Sequence, residues 1–450
     1  MKKIGKLKLY NSNEIVDSCV SIGFECLDRE LFKPEKCYDA LAKTGVKYAR
    51  CQTGWSKCEK EKGIYDFSWL DSVVENLTSR GIIPWFNVGF GNPVYMPNVP
   101  NETAVGCVPI YYGDEAVAAW ENFVSAVAKR YGNVVKHYEI WNEPNIKCFW
   151  YPEDPDAKEY ADFVNRTAKV IKKVQHDAKI GVNINTPTDF GYADVLIENL
   201  EMLDFFAVHT YSKVPEYRYS SAISRLRRKL DSCGFKNTEI WQGEGGYPSW
   251  AYKGHWLVKD GCDDERAQAV WQLRRYFLDL ANGIKCSSLF QMADMWEKPY
   301  AKATDVINKP AAHGILNGLT YTPKKSYETI SNLAAIFSGD IKPSDEFAAV
   351  DVNSPTPLEM CACQTMTFRK NGTPMYAYYL PTSVAAKAEI PYKASLNTER
   401  LNDPVLIDTF TGEVFELDAP QKMKGTVRYN DLPLTDYPII VTEREVFEVM

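Results

Sequence analysis

A carboxylate stands at the end of an apolar segment in residues 137–145, which read HYEIWNEPN. Proline continues a strand poorly, so Glu143 is predicted to lie where the strand passes into its loop. A carboxyl group in that position can give or take a proton during a reaction. Most glutamates, however, cap helices or form salt bridges, and Asn-Glu-Pro alone leaves both interpretations open.

A second carboxylate ends a second apolar segment, residues 238–247, which read TEIWQGEGGY. Glycines flank Glu244, and a backbone without side chains lets a bulky ligand approach closely. By our count Glu143 ends the fourth strand of the chain and Glu244 the seventh, so the two carboxyls can face each other across the mouth of an eight-stranded ring. A paired acid and carboxylate at such a mouth is the equipment of glycoside hydrolysis.

Eight short apolar segments could form the strands that position these carboxylates. They alternate with helical patterns, of which Glu115–Tyr131 is the clearest because its apolar residues recur at helical spacing. The predicted strands are Cys19–Phe24, Val46–Arg50, Ile82–Val88, His137–Trp141, Lys179–Ile184, Phe205–His209, Glu239–Gln242 and Cys286–Gln291.

Strands that alternate with helices pair in parallel through right-handed crossovers. The two economical arrangements are an open doubly wound sheet and a closed (β/α)8 barrel. No GxGxxG motif follows the first predicted strand, which counts against a dinucleotide-binding sheet. Eight strands over about 270 residues favour the barrel.

The pattern changes after about residue 340. Two antiparallel hairpins are predicted, one around Asn371-Gly372 and one around Thr411-Gly412, with a further strand at Tyr437–Thr442. We therefore expect a catalytic (β/α)8 barrel over residues 1–340 and a C-terminal antiparallel β-sandwich over residues 341–450. The first 18 or so residues alternate weakly and could add a strand to the sandwich. No Pro/Gly/Ser linker precedes the sandwich, which favours a structural role over a separate sugar-binding module.

Composition excludes several classes of protein. The 450 residues carry a net charge of -7 and no basic block, which argues against nucleic acid as a partner. No apolar run reaches the roughly 20 residues of a membrane helix. The N-terminus lacks the apolar region of a signal peptide, and the 12 scattered cysteines are interpreted as free thiols of a reducing compartment, so a cytoplasmic location is expected. A homo-oligomer remains open.

Several segments together resemble clan A of the glycoside hydrolases, which places Asn-Glu after strand four and a nucleophilic Glu after strand seven. Within the clan the chain is most similar to family 39, the β-xylosidase and α-L-iduronidase family. The resemblance spans the barrel and extends to the sandwich. The supporting segments are Gly63–Asp71, Tyr138–Pro144, His209–Tyr211 and Pro323–Tyr327.

The resemblance implies a retaining glycosidase that needs no metal or organic cofactor, with Glu143 as its acid/base and Glu244 as its nucleophile. It also implies supporting residues around the pair. These are Arg50 beside the nucleophile, Asn142 on the sugar 2-hydroxyl, His209 and Tyr211 after strand six with the tyrosine bonded to Glu244, Trp296 as a stacking platform, and Glu297 as an acceptor for a sugar hydroxyl.

One position departs from the family pattern. Family xylosidases usually carry a sugar-binding histidine two residues after the strand-two arginine, where this chain has Gln52. We therefore expect an exo-acting, β-xylosidase-like enzyme on short oligosaccharides or plant glycosides, with the sugar itself left open. The alternatives are a β-glucosidase, arabinosidase or endo-glycosidase of the same clan, or a catalytically silent carbohydrate-binding barrel.

Two further groups of side chains were weighed as ligand contacts. For Trp141 and Trp241 the sequence leaves two interpretations equally open, sugar binding and packing inside the barrel. The isolated histidines are interpreted as structural residues with satisfied hydrogen bonds rather than as ligands. They are His137, His176, His255 and His313.

Overall fold

Eight parallel strands close into a barrel in the computed structural model, which describes residues 1–295, 311–353, 362–385 and 390–450. The last strand pairs with both the first and the seventh, which completes the ring. The barrel strands are β1 (Val20–Gly23), β2 (Tyr48–Gln52), β3 (Ile83–Val88), β4 (His137–Ile140), β5 (Lys179–Ile184), β6 (Phe205–His209), β7 (Glu239–Gly245) and β8 (Ser287–Leu289).

A helix follows each barrel strand along the chain. These helices are α1 (Tyr38–Lys43), α2 (Ser68–Thr78), α3 (Asp114–Tyr131), α4 (Ala157–Val174), α5 (Phe190–Asn199), α6 (Tyr219–Ser232), α7 (Glu265–Ala281) and α8 (Lys325–Ile336). The predicted (β/α)8 barrel is thus confirmed. All eight predicted strands exist, and the strand end that shifts furthest is that of β7, which continues through Glu244 to Gly245.

Burial on both faces explains why the strands read as continuous apolar runs. All five residues of β6 are buried, and five of the six in β5. A strand covered by barrel core on one side and helices on the other has no reason to alternate polar and apolar residues. The helices, by contrast, are amphipathic. In α4 the Asp156 side chain caps the N-terminus by accepting hydrogen bonds from the Lys158 and Glu159 amides.

Two antiparallel sheets follow the barrel. Their strands are β9 (Ile341–Pro343), β10 (Ala348–Val352), β11 (Gln364–Lys370), β12 (Thr373–Tyr379), β13 (Lys393–Thr398), β14 (Pro404–Asp408), β15 (Glu413–Glu416), β16 (Gln421–Lys422), β17 (Val427–Pro433) and β18 (Ile439–Glu443). A seven-stranded sheet has the order N-terminal strand (Lys2–Lys6), β15, β14, β18, β12, β11, β9, and a four-stranded sheet the order β10, β13, β17, β16. The chain start therefore pairs with β15, far along the sequence.

The two sheets share one apolar core, as a sandwich does. Tyr376 and Val441 come from the seven-stranded sheet, and Leu396 and Tyr429 from the four-stranded one. The β11–β12 turn contains Asn371 and Gly372, both with positive φ (52° and 84°), as a two-residue hairpin turn requires.

The other face of the seven-stranded sheet packs on the barrel. Phe277 of α7 lies between Phe337 and Phe368, with ring centroids 5.0 and 6.0 Å away. The guanidinium of Arg266 donates two hydrogen bonds, 3.0 and 2.6 Å, to Asp436. The sandwich therefore contacts α7 through both apolar packing and an ion pair.

Two further predictions, on membrane helices and on free cysteines, are compared here with the described residues. No helix there combines the length and the hydropathy that a membrane crossing demands. The cysteines described there are free thiols, most of them buried.

Replacing Phe368 by alanine should reveal how much the contact between barrel and sandwich contributes to stability. The side chain is fully buried against α7, so we expect a loss of about 3–5 kcal/mol in the free energy of unfolding. Urea unfolding followed by circular dichroism measures it. Phe347→Ala is the matched control, since that ring is 52% exposed and its loss should cost little. Equal effects of the two substitutions would contradict a packed interface.

Candidate active site

The chain turns sharply where β4 ends. Trp141 and Glu143 both have positive φ (68° and 44°), a conformation that costs free energy for residues other than glycine. Two asparagines from neighbouring strands hold this turn. Asn87 Nδ2 and Asn183 Nδ2 donate to the Trp141 carbonyl at 2.5 and 2.7 Å, and Asn183 Oδ1 accepts from the Glu143 amide at 2.6 Å. The barrel thus fixes the direction in which the Glu143 side chain leaves the backbone.

His209, at the end of β6, is the partner of the Glu143 side chain. Its Nδ1 lies 2.8 Å from Glu143 Oε1. Burial opposes a charge on the imidazole, but the surrounding carboxylates of Glu244, Glu139 and Glu143 outweigh it and raise the His209 pKa to about 10. The ring therefore donates from Nδ1. Burial raises the pKa of Glu143, against the attraction of His209 and with the help of Glu244. A raised pKa is what a general acid needs.

Glu244 projects from the end of β7 into the same space. Tyr211 donates a hydrogen bond of 2.5 Å to its Oε1, and Arg50 Nη1 donates one of 2.8 Å to its Oε2. One oxygen of Glu143 and one of Glu244 lie within 4.8 Å of each other. This separation matches the roughly 5 Å of paired carboxyls in retaining glycosidases rather than the 6.5–9.5 Å of inverting ones.

Arg50, near the end of β2, joins this pair to a larger buried network. The guanidinium is completely buried and contacts three carboxylates: Glu244, Glu25 at 2.6 Å and Glu139 at 2.6 Å. Its Nη2 also donates to Asn142 Oδ1 at 2.8 Å. This contact fixes the Asn142 amide, whose Nδ2 has no partner among the described residues and is free to donate to a ligand.

The buried carboxyls of the network differ in protonation. Burial would raise the pKa of Glu139, but Arg50 and His209 outweigh it and lower the pKa below the usual range. Glu25 has Arg50 as its hydrogen-bond donor and a buried Oε1 without any partner. Burial accordingly raises the Glu25 pKa to about 8 in spite of Arg50. Of the two carboxyls that contact Arg50 deepest in the network, Glu25 therefore carries a proton at neutral pH and Glu139 does not.

Sequence reasoning missed the inner part of this network, namely Glu25, Glu139, Asn87 and Asn183. A signal existed for Glu25, because it follows an apolar strand just as Glu143 and Glu244 end theirs. Glu139 stood inside a predicted strand, and a charged residue there indicates a buried ion pair. Nothing in the spacing of the asparagines indicated which backbone groups they would bind.

Gln52 is buried near the mouth, where its Oε1 accepts hydrogen bonds from the Cys26 amide (3.3 Å) and the Arg29 guanidinium. Trp296 and Glu297 lie outside the described residues.

Trp141 and Trp241 are packing residues. Trp141 is fully buried against Phe90 and Trp120, while Trp241 stacks on Phe205 in a cluster inside the barrel.

The interpretation of the histidines was wrong at one position. His255 is satisfied, since its Nδ1 accepts from the Leu257 and Val258 amides. His313 is buried, with 3% of its surface exposed, yet neither ring nitrogen has a hydrogen-bond partner in the described part of the chain. The sequence contained no sign of this, because the environment of His313 comes from loops that are distant along the chain.

The site could be considered for a metal ion, since Glu143, His209 and Glu244 each bring one ligand atom within 4.8 Å of the others. The buried guanidinium of Arg50 already supplies a positive charge to Glu244, and His209 holds a proton on the nitrogen that faces Glu143. The two carboxyls therefore already have positive counter-charges from side chains of the protein itself.

Comparisons with known proteins bear on this geometry. Residues 33–233 match the model of glycosyl hydrolases family 39, a range that contains Arg50 and Glu143 and ends before Glu244. The predicted resemblance to family 39 is confirmed.

Individual relatives agree with the family match. A β-xylosidase of Geobacillus stearothermophilus is 28% identical over 185 residues, which cover 35% of this chain and 34% of the relative. A β-xylosidase of Caldicellulosiruptor saccharolyticus is 24% identical over 335 residues, which cover 66% of this chain and 63% of the relative. The chain thus aligns with about a third and just under two thirds of these relatives.

Among solved structures, a family 39 β-xylosidase from Caulobacter crescentus superposes with a TM-score of 0.58 at 15% identity. The superposition covers 98% of this chain and 97% of that one. At this identity the likeness concerns the fold, which includes both the barrel and the sandwich.

Replacing Glu25 by glutamine should make stability less dependent on pH. The folded protein keeps a proton on Glu25 up to about pH 8, whereas the unfolded chain releases it near 4.5. The stability that this proton gives the folded state is fully present below pH 4.5 and is lost progressively as the pH rises from 4.5 to 8. Glutamine keeps the acceptor for Arg50 without that proton, so the stability of the variant relative to wild type should grow between pH 5 and 8.

Urea unfolding at the two pH values measures this difference. Glu239→Gln is the matched control, since Glu239 is exposed at the opposite end of β7 and should leave the pH dependence unchanged. A difference between Glu25→Gln and wild type that stays constant from pH 5 to 8 would mean that Glu25 is ionised throughout.

Proposed function

We propose that the protein is a retaining glycoside hydrolase with Glu143 as general acid/base and Glu244 as nucleophile. The observation that carries the proposal is the pair itself. One carboxyl is bonded to His209 and has a raised pKa, the other is bonded to Arg50 and Tyr211, and their oxygens lie within 4.8 Å. The match to family 39 supports the same activity independently of this geometry.

The first chemical step would form a covalent glycosyl-enzyme. Glu244 attacks the anomeric carbon, the bond from that carbon to the leaving oxygen breaks, and Glu143 gives its proton to that oxygen. Arg50 and Tyr211 hold the attacking carboxylate in place. The bond between Glu244 and the sugar removes a negative charge from the site, so the Glu143 pKa falls and the residue is ready to act as a base.

The second step would hydrolyse this ester. Glu143 takes a proton from a water molecule, the oxygen of that water attacks the anomeric carbon from the side of the departed group, and Glu244 leaves as a carboxylate. Two displacements on the same carbon restore its original configuration. His209 stays charged and supports whichever state Glu143 has reached.

For the substrate we propose a β-xyloside, with exo-action on short oligosaccharides or plant glycosides. The relatives named β-xylosidase support this choice. Gln52 weakens the case for xylose, because it replaces the sugar-binding histidine of family xylosidases. Its side-chain carbonyl oxygen already accepts hydrogen bonds from Arg29 and the Cys26 amide. A glucoside or arabinoside is the alternative substrate. A set of 4-nitrophenyl glycosides with different sugars discriminates among them, and wild type without turnover on any of them would favour a silent binding barrel.

Replacing the two carboxylates should produce different kinetic defects. Glu244→Ala should abolish turnover, and added azide should restore it with a glycosyl azide of inverted configuration. Glu143→Ala should slow substrates with basic leaving groups by about 100-fold or more, and activated aryl glycosides much less, because acid assistance matters when the leaving oxygen is basic. Steady-state kinetics measure both effects. Glu239→Ala, at the far end of β7, is the control that should keep wild-type rates.

The anomeric configuration of the first product tests the mechanism directly. Because the carboxyl oxygens are too close for a water molecule to act between them in an inverting reaction, we expect retention. Proton NMR of the product within the first minutes of the reaction, before mutarotation, measures it. An initial product of the opposite anomer would refute a double displacement through Glu244.

A further inference from the structure

A short β-hairpin, residues 250–263, follows β7 beside the mouth of the barrel. Trp250 and Ala251 pair with Cys262 and Asp263, and the tip between them is closed by a hydrogen bond of 2.7 Å from the Gly254 amide to the Lys259 carbonyl. Within the tip, His255 Nδ1 accepts hydrogen bonds from two backbone amides at 3.2 and 3.3 Å. The tip is thus held by its own hydrogen bonds.

Trp256 is the residue that this tip presents. Its side chain is 49% exposed. The ring nevertheless has fixed neighbours: Tyr211 edge-on with centroids 5.1 Å apart, His255 at 5.4 Å, and His313 nearly parallel at 6.4 Å. Tyr211 is the residue that donates to the nucleophile, so a half-exposed indole lies one aromatic contact away from Glu244.

His313 supports the indole from behind. Its ring lies over the end of β7, where a β-carbon on Gly246 would be 3.2 Å from His313 Cδ2. Burial, with His255 and Lys324 nearby, lowers the His313 pKa to about 3, so the ring is neutral and offers one donor and one acceptor. Neither has a hydrogen-bond partner among the residues that the structure describes. A buried polar group without a partner is costly, and sugar hydroxyls can both donate to it and accept from it.

We propose that Trp256, backed by His313, forms the aromatic wall of a sugar subsite on the nucleophile's side of the mouth. The ligand is a pyranose ring, whose apolar C–H face stacks on the exposed indole while its hydroxyls remain free for polar partners. Trp256 is joined through Tyr211 to Glu244, which attacks the sugar, and Glu143, which protonates the leaving group, is bonded to His209 instead. The subsite therefore binds the glycone side, and this assignment rests on the proposed function.

Kinetics of Trp256 variants test which side the wall serves. Trp256→Ala should raise KM about tenfold and by the same factor for 4-nitrophenyl and 4-methylumbelliferyl glycosides of one sugar, with kcat changed less than about twofold. Trp256→Phe should recover most of the loss, because a smaller aromatic face remains. Tyr217→Ala is the control, since that tyrosine is 69% exposed on the loop after β6. An unchanged KM, or a change that depends on the leaving group, would overturn the assignment.

Direct binding separates this proposal from the proposed function. Methyl β-D-xylopyranoside and methyl β-D-glucopyranoside are titrated by calorimetry into Glu244→Gln and into Glu244→Gln/Trp256→Ala. If either glycoside binds the double variant about tenfold more weakly than it binds Glu244→Gln, the subsite is supported. This holds even if the wild type turns over no substrate and the proposed function fails. Equal affinity in the two variants, or no binding of either glycoside, would overturn the subsite whatever the wild-type activity.

Discussion

The buried guanidinium of Arg50 is the interaction on which the site depends. An isolated carboxylate cannot be buried without a large desolvation cost, and here three carboxylates share one cation. Arg50 and the charged His209 cannot balance all the carboxyls around them, so the least supported one, Glu25, keeps a proton. Glu139 has the strongest interaction with Arg50, and Glu244 accepts a second hydrogen bond, which Tyr211 donates. The distribution of protons in the mouth follows from this unequal sharing.

The barrel makes that sharing possible because it brings the ends of distant strands to one place. Glu25 follows β1, Arg50 lies in β2, His209 ends β6 and Glu244 lies at the end of β7. Closure of the ring sets their mutual distances. The positive φ values at Trp141 and Glu143 are maintained by Asn87 and Asn183, so the strain at the acid is carried by side chains of the two strands that flank β4.

The sandwich and the loop after β7 act at larger distances from the pair. The seven-stranded sheet packs on α7, the helix that leads from the Trp256 hairpin back to β8. The ion pair between Arg266 and Asp436 lies at the start of that same helix. The C-terminal end of the hairpin thus leads directly into α7, the helix on which the sandwich packs. This is a physical reason for the barrel and the sandwich to stay together.

The sequence by itself determined the barrel, the sandwich and the two carboxylates. Strands buried on both faces must be apolar along their whole length, and Glu143 and Glu244 were conspicuous where two such runs ended. Arg50 and Tyr211 were also named in advance, through the resemblance to family 39. The structure brings these four side chains together, because burial leaves a local pattern and because a short motif keeps its place on the fold.

The tertiary structure alone decided how the charges are shared and which polar atoms lack partners. The roles of Glu25, Glu139 and the asparagines depend on contacts between residues up to 194 positions apart, as the Arg50–Glu244 bond illustrates. The same holds for His313, for which the sequence predicts hydrogen-bond partners and the described residues supply none. Hydrogen bonding and desolvation depend on distances of a few ångströms between segments, and no one-dimensional pattern records them.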